Sequence, residues 1–102
     1  MKEIGEHIVV AKFRPERDRG VKTLLEEFKK SSATQFFLRE FKLPWFFSER
    51  LNEENDLVKL TLTLNRPDST DEAAEIGFEE LTNYLIGLLK DFCETVQYIR
   101  PN

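Results

Sequence analysis

The chain has 102 residues, a length that fits one domain built around one hydrophobic core. There are 19 acidic and 15 basic residues, which give a net charge of −4. This balance argues against nucleic-acid binding as the main activity, because nonspecific affinity for phosphate backbones comes from a positive field. We therefore expect a single domain over residues 1–102 that does not bind nucleic acid.

The number of cysteines and the hydropathy of the chain indicate the cellular compartment that we expect for the protein. Cys93 is the only cysteine, so no intramolecular disulfide can form, and a lone cysteine is typical of a reducing compartment. Residues 1–6 are charged and lack a signal-peptide pattern. No stretch approaches the roughly 18 apolar residues that span a bilayer. We expect a cytoplasmic protein with no membrane partner.

The sequence contains one pattern twice: an apolar strand, then Arg-Pro, then an amphipathic helix. In the first copy, residues 8–13 are rich in β-branched side chains and apolar on both faces, which is typical of a central strand. A helix is predicted from about Asp18, because Val21, Leu24, Leu25 and Phe28 recur at helical spacing. Ser31 and Ser32 are expected to end it.

Residues 34–47 fit two interpretations. Phe37, Phe41 and Leu43 alternate with charged residues, which favours a strand, although Phe37 and Phe41 are also spaced for one helical turn. Aromatic side chains suit a pleated surface, and Pro44 is acceptable on an edge strand but would block a helix. We predict a strand here. The alternative, a helix, would give an α+β domain with a smaller sheet.

A polar connection over residues 48–56 is predicted to join two antiparallel strands. The second of these strands, residues 57–65, alternates strictly between apolar and polar side chains, so one face should be buried. After the second Arg-Pro, a capping-box pattern and a long apolar stripe predict a helix from about Thr70. A last short strand is predicted at residues 96–99.

The element order is therefore strand, helix, strand, strand, helix, strand. This order predicts an α+β fold: a ferredoxin-like βαββαβ sandwich, with a four-stranded antiparallel sheet and two helices on one face. We also expect the first and third strands to lie side by side, parallel, at the centre of the sheet.

In this fold the opposite face of the sheet has no helix of its own. It is expected to carry Ile8, Val10, Phe36 and Leu38 beside Lys12, Lys59, Thr61 and Thr63. A partly apolar face of this kind is a candidate surface for a homodimer or a protein partner. The alternative is an ordinary sheet face in contact with water.

The aromatic segment Trp45, Phe46 and Phe47 adds to this interaction hypothesis. Three consecutive aromatic side chains on a strand cannot all point into one core, so at least one should face outward. Exposed aromatic residues are typical anchors of protein interfaces. The alternative is a loop folded back over a helix end.

A second candidate site lies where the two Arg-Pro pairs would meet. If the first and third strands are parallel, Arg14, Arg17, Arg19 and Arg66 gather at one end of the sheet, beside the N-termini of both helices. Such a corner could bind phosphate or carboxylate. Acidic residues are interleaved with these arginines, so the alternative is a set of surface ion pairs.

Catalytic chemistry has little support. His7 is the only histidine, so the usual His/Cys metal cluster cannot be assembled, and Cys93 is expected to be a small buried hydrophobe. We predict no catalytic residue, metal or cofactor. The predicted function is a small intracellular interaction or regulatory module, acting as a homodimer or with a protein partner. The alternative is a small-ligand-binding or enzymatic domain that holds an anionic group at the arginine corner.

Overall fold

The computed structural model describes residues 6–40, 47–65 and 72–100. The sheet consists of β1 (Glu6–Phe13), β2 (Phe47–Glu54), β3 (Leu57–Asn65) and β4 (Thr95–Ile99), and the helices are α1 (Asp18–Lys30), α2 (Ser32–Glu40) and α3 (Glu72–Lys90). The four strands are ordered β2-β3-β1-β4, and every neighbouring pair is antiparallel. The predicted α+β, ferredoxin-like architecture is confirmed.

The first and third strands are adjacent at the centre, as expected, but the predicted parallel pairing is wrong. Phe13 at the end of β1 lies opposite Val58 near the start of β3, and Glu6 lies opposite Asn65. The reason is topological: β2 runs in the direction of β1, and the tight turn after Glu54 reverses the chain into β3. The C-terminal ends of β1 and β3 are therefore at opposite ends of the sheet.

The strand predicted over residues 34–47 is wrong for residues 34–40, which belong to α2; residues 41–46 lie outside the described residues. Ser31 ends one helix and caps the next. Its hydroxyl donates to the carbonyl of Phe28 at 2.8 Å and accepts the backbone N–H of Thr34 at 3.3 Å. The backbone N–H of Gln35 then donates to the Ser31 carbonyl at 3.0 Å, the first bond of the new helix.

The polar segment predicted as a connection is mostly a strand. Residues 48–54 belong to β2, and only Asn55 and Asp56 form the turn. Between Ser48 and Glu54, the residues of β2 on the helix side of the sheet are Glu49, Leu51 and Glu53. Leu51 is the apolar residue among these three, yet its side chain is exposed. The strand is held mainly by its pairing with β3, a long-range contact that hydrophobic alternation does not report.

The core lies between the sheet and the helices. It joins alternate residues of β1 and β3 to the buried stripes of α1 and α3; these residues are Val9, Ala11, Phe13, Val21, Leu24, Leu25, Phe28, Leu60, Leu62, Leu64, Phe78, Leu81, Leu85, Ile86 and Leu89. Because both stripes belong to one cluster, the predicted placement of these two helices on one face is confirmed.

Candidate functional site

The face of the sheet turned away from α1 and α3 is called the open face here. It is formed by Ile8, Val10 and Lys12 of β1, Leu57, Lys59, Thr61 and Thr63 of β3, Ser48, Arg50, Asn52 and Glu54 of β2, and Thr95, Gln97 and Ile99 of β4. The residues of β1 and β3 are those expected from the alternation. The polar side chains of β2 make this face more polar than the sequence predicts.

An apolar patch lies on the open face beside the β4 edge. Ile8 of β1 is directly opposite Ile99 of β4, and Val10 follows on the same face of β1. Ile99 is 43% exposed, and the side chains of Ile8 and Val10 are partly exposed. Thr61 and Thr63, opposite Val10 and Ile8 on β3, border the patch with hydroxyl groups. The patch is small and continuous across two strands.

The other end of the open face is charged. Lys12 and Lys59 lie directly opposite each other on β1 and β3. Glu54 reaches both: its two carboxylate oxygens lie 3.8 Å from the Lys12 Nζ and 3.9 Å from the Lys59 Nζ. At these distances and exposures the ion pairs contribute little to stability. This end of the open face therefore carries both signs of charge, and Lys12 lies next to Val10 on the same face of β1.

Two residues of the predicted interaction surface lie on a helix and not on the sheet. Phe36 is on α2 and exposed there, not on the sheet. Leu38 is also on α2, so the expectation that both residues lie on the open face is wrong. Trp45 and Phe46 lie outside the described residues. Phe47 is the first residue of β2, and its role as an anchor stays a prediction.

The antiparallel pairing also divides the predicted arginine corner. Arg14 follows the end of β1, whereas β3 ends opposite Glu6, at the other end of the sheet. The reason for expecting Arg66, which lies outside the described residues, beside Arg14 is thus removed. Arg19 lines a different surface, the groove between α1 and α3. Arg14 and Arg17 remain together.

Arg14 and Arg17 line a cleft of 530 Å³ at the start of α1. Three acidic residues line the same cleft: Glu16, Asp91 and Glu94. The Nε of Arg14 donates to Glu94 at 2.9 Å, and this hydrogen bond, with the added attraction of Glu94 and Glu16, raises the pKa of Arg14. The acids in the cleft oppose an anionic ligand, and Arg14 already has a carboxylate partner.

The surroundings of Cys93 and His7 indicate structural roles for both residues. Burial raises the pKa of the half-buried Cys93 thiol to about 11, so it is a neutral thiol at pH 7. His7 is buried; its Nδ1 is hydrogen-bonded to the hydroxyl of Tyr98, and its ring meets Phe78 edge to face with centroids 5.0 Å apart. His7 thus connects β1 to β4 and α3.

A groove between α1 and α3 was not anticipated from the sequence. It has a volume of 560 Å³ and is lined mainly by apolar side chains, among them Leu24, Phe28 and Leu88. Tyr84 stacks near Phe28 along this groove, with ring centroids 6.3 Å apart. The helical stripes assigned these residues to the core, and periodicity alone cannot show where two packed helices separate enough to leave a surface groove.

The remaining observations concern metal ligands and membrane-spanning helices. Across residues 6–40, 47–65 and 72–100, no group of three or more His, Cys, Asp or Glu side chains could hold a metal ion. Within the same part of the chain, no helix is both long enough and apolar enough to cross a membrane.

Comparisons with known proteins define the class as a ferredoxin-like domain. No protein-family model and no curated protein sequence matches the chain. Among solved structures, the chain is similar to the C-terminal domain of the MgtC protein from Mycobacterium tuberculosis (15% identity, 98% of this chain, 93% of that chain, TM-score 0.53). It is also similar to a dimeric ferredoxin-like protein from an uncultured marine organism (14%, 98%, 87%, TM-score 0.55).

A third similar structure is an antibiotic biosynthesis monooxygenase, at 15% identity with 97% of each chain covered and a TM-score of 0.53. At these identities the comparisons establish the fold alone. A ferredoxin-like fold hosts many unrelated activities, so the fold by itself does not specify the function of this chain.

Proposed function

We propose that this chain is a small interaction module that associates with a second copy of itself through the open face. The observation that carries the proposal is the apolar patch of Ile8, Val10 and Ile99 on a sheet face opposite the two core helices. Interfaces between proteins commonly combine an apolar centre with a polar border. The open face offers both parts: the apolar patch beside the β4 edge, and the polar side chains of β3 and β2 next to it.

Two further observations support self-association over a foreign partner. The charged end of the open face carries both signs of charge, with Glu54 beside Lys12 and Lys59, so two copies can place unlike charges against each other. One of the similar solved structures is described as a dimeric ferredoxin-like protein. Phe47 and the neighbouring Trp45 and Phe46 are proposed as additional anchors.

The test is the mass in solution, measured by light scattering after size exclusion over a range of protein concentrations. We expect a dimer for the wild-type chain and a weaker dimer for Val10→Lys, which places a charge in the apolar patch. Ile76→Lys is the matched control, because Ile76 is 55% exposed on α3, away from the sheet. A wild-type monomer at every concentration, or equal behaviour of the two variants, would overturn the proposal.

The ligand-binding alternative has one supporting observation, the cleft of 530 Å³ that contains Arg14 and Arg17. Since Arg14 is paired with Glu94, Arg17 is the residue proposed to contact an anionic group. Inorganic phosphate should raise the unfolding temperature of the wild-type chain and leave that of Arg17→Gln unchanged. No shift in the wild type would remove this alternative.

A further inference from the structure

The two edges of the sheet differ in charge. In the order β2-β3-β1-β4, the edge strands are β2 and β4. β2 carries Glu49, Arg50, Glu53 and Glu54, and charged side chains on an edge discourage pairing with other strands. β4 has the sequence Thr-Val-Gln-Tyr-Ile, without a charged residue. Among the described residues, no strand pairs with the outer side of β4.

We infer that β4 pairs antiparallel with β4 of a second copy, so that two four-stranded sheets join edge to edge into one continuous sheet. The two-fold axis passes through Gln97, which lies opposite Gln97 of the second copy. In this register Val96 is opposite Tyr98, and Thr95 is opposite Ile99. The backbone N–H and C=O groups on the outer side of each β4 then gain strand partners.

The residues that flank β4 identify a second copy as the partner. Glu94 precedes the strand and Arg100 follows it. With Gln97 on the axis, Glu94 of each copy falls opposite Arg100 of the other, so an attractive charge pair occurs at both ends of the paired strands. Centring the pairing one residue earlier, on Val96, would place Glu94 opposite Tyr98 instead. The charges therefore specify one register of the strand against itself.

The contacts within one copy extend this charge pairing. Glu94 accepts a hydrogen bond from Arg14 at 2.9 Å, and Arg100 lies 2.8 Å from Glu79. The side chains of Glu94 and Arg100 are 49% and 64% exposed, so both can reach a second partner. In the joined sheet, Arg14 and Glu94 of one copy would lie in one row with Arg100 and Glu79 of the other copy. Positive and negative groups would alternate along this row.

Edge pairing is independent of the open-face dimer. Glu94 and Arg100 alternate with Thr95, Gln97 and Ile99, so they lie on the side of the sheet that carries the helices. A two-fold axis perpendicular to the sheet keeps the helices of both copies on the same side. The open faces of the two copies would then form one wider surface, which could still meet another pair of chains.

A charge swap tests the register. Glu94→Arg or Arg100→Glu alone places like charges opposite each other at both ends of the paired strands, and we expect each to weaken the dimer by about tenfold. The double variant Glu94→Arg/Arg100→Glu restores opposite charges across the interface, and we expect it to recover the wild-type affinity. Inside one copy, Glu94→Arg disturbs the pair with Arg14, Arg100→Glu disturbs the pair with Glu79, and the double variant disturbs both, so recovery can come only from contacts between copies.

Sedimentation velocity provides the affinities, and circular dichroism checks that each variant is folded. A wild-type chain that stays monomeric at the highest concentration overturns the proposal, as does a double variant no tighter than the single ones. A dimer that is sensitive to Val10→Lys but not to the charge changes supports the open face and overturns edge pairing. The reverse pattern supports edge pairing and overturns the open-face proposal.

Crosslinking tests the axis by a separate route. In a Cys93→Ala background, Gln97→Cys should oxidise to a disulfide-linked dimer, because opposed residues on paired strands have Cα atoms roughly 4.5–5.5 Å apart, within disulfide range. Ile99→Cys is the matched control on the same strand and face, since Ile99 faces Thr95 and not itself. Equal crosslinking of both variants, or none at position 97, contradicts the proposed register.

Discussion

Gly20 of α1 lies against the ring of Phe92, and both residues line the groove between α1 and α3. A Cβ placed on Gly20 would lie only 2.9 Å from the Cε1 of Phe92, closer than carbon atoms pack without a shift. The absence of a side chain at this point allows the first turn of α1 to approach the ring.

Replacing Gly20 by alanine should therefore destabilise the protein. Alanine improves helix propensity by up to about 1 kcal/mol, but overpacking at a close contact costs roughly 1–3 kcal/mol. We expect a net loss of about 1 kcal/mol in the free energy of unfolding, measured by urea denaturation followed by circular dichroism. A stability equal to or above that of the wild type would show that the Phe92 ring moves aside without cost.

Gly87→Ala should have the opposite effect. Gly87 lies inside α3, and a Cβ there would meet no atom of the described residues within 4 Å. A glycine inside a helix can allow a neighbouring element to pack closely, but no described residue packs against Gly87 in this way. Because alanine loses less backbone entropy on folding, we expect a gain of about 0.5–1 kcal/mol. The same urea denaturation checks it, and a loss of stability would contradict the open surroundings of Gly87.

The sequence patterns predicted the parts of the fold in which one apolar face repeats over several residues. Strict alternation in β3 places Leu60, Leu62 and Leu64 in the core, and the stripe of α1 does the same for Val21 and Phe28. β2 could not be found in this way, because the part of it from Ser48 to Glu54 contains one apolar residue, Leu51, and depends on pairing with β3.

The errors at the candidate site follow from the same limits. The aromatic content of its segment favours a strand for Phe36, whereas the stronger local signal is Ser31, whose hydroxyl caps α2 through Thr34. The expectation that Arg66 and Arg14 share a corner depends on parallel pairing of β1 and β3, which is wrong, and Arg66 itself lies outside the described residues. The residues of β1 and β3 on the open face were predicted correctly, because a period of two fixes which side chains share a face.

Asn55 should tolerate glycine but not a β-branched residue. It occupies the turn between β2 and β3 with a φ of 58°, in the left-handed region that asparagine and glycine adopt more readily than other residues. We expect Asn55→Val to cost about 1–2 kcal/mol of unfolding free energy and Asn55→Gly to stay within about 0.5 kcal/mol of the wild type. Thermal unfolding of the two variants compares them; equal stabilities would argue against a strained turn at this residue.

Tyr98→Phe should weaken the link between β1, β4 and α3. The change removes the hydroxyl that is hydrogen-bonded to the Nδ1 of the buried His7 and leaves the aromatic ring in place. We expect a loss of about 1 kcal/mol, the usual net contribution of a hydrogen bond. Tyr84→Phe is the control, because Tyr84 is an exposed tyrosine on α3, and surface changes of this kind stay within about 0.5 kcal/mol. Equal effects of the two changes on chemical denaturation would contradict a structural role for the His7–Tyr98 bond.

Cys93 should make the protein less stable at alkaline pH. Burial raises the pKa of its thiol from 9.0 to about 11, so the folded chain holds this proton over a range in which the unfolded chain releases it. The contribution of Cys93 to stability is therefore fully present below about pH 9 and declines as the pH rises through the folded pKa of about 11. Comparing the unfolding midpoints of the wild type and Cys93→Ala at pH 7 and pH 10.5 isolates this effect from that of the lysines and tyrosines. We expect the midpoint of the wild type to fall further than that of Cys93→Ala over this interval. An equal fall in both proteins, or rapid alkylation of Cys93 in the folded chain at neutral pH, would contradict a half-buried, neutral thiol.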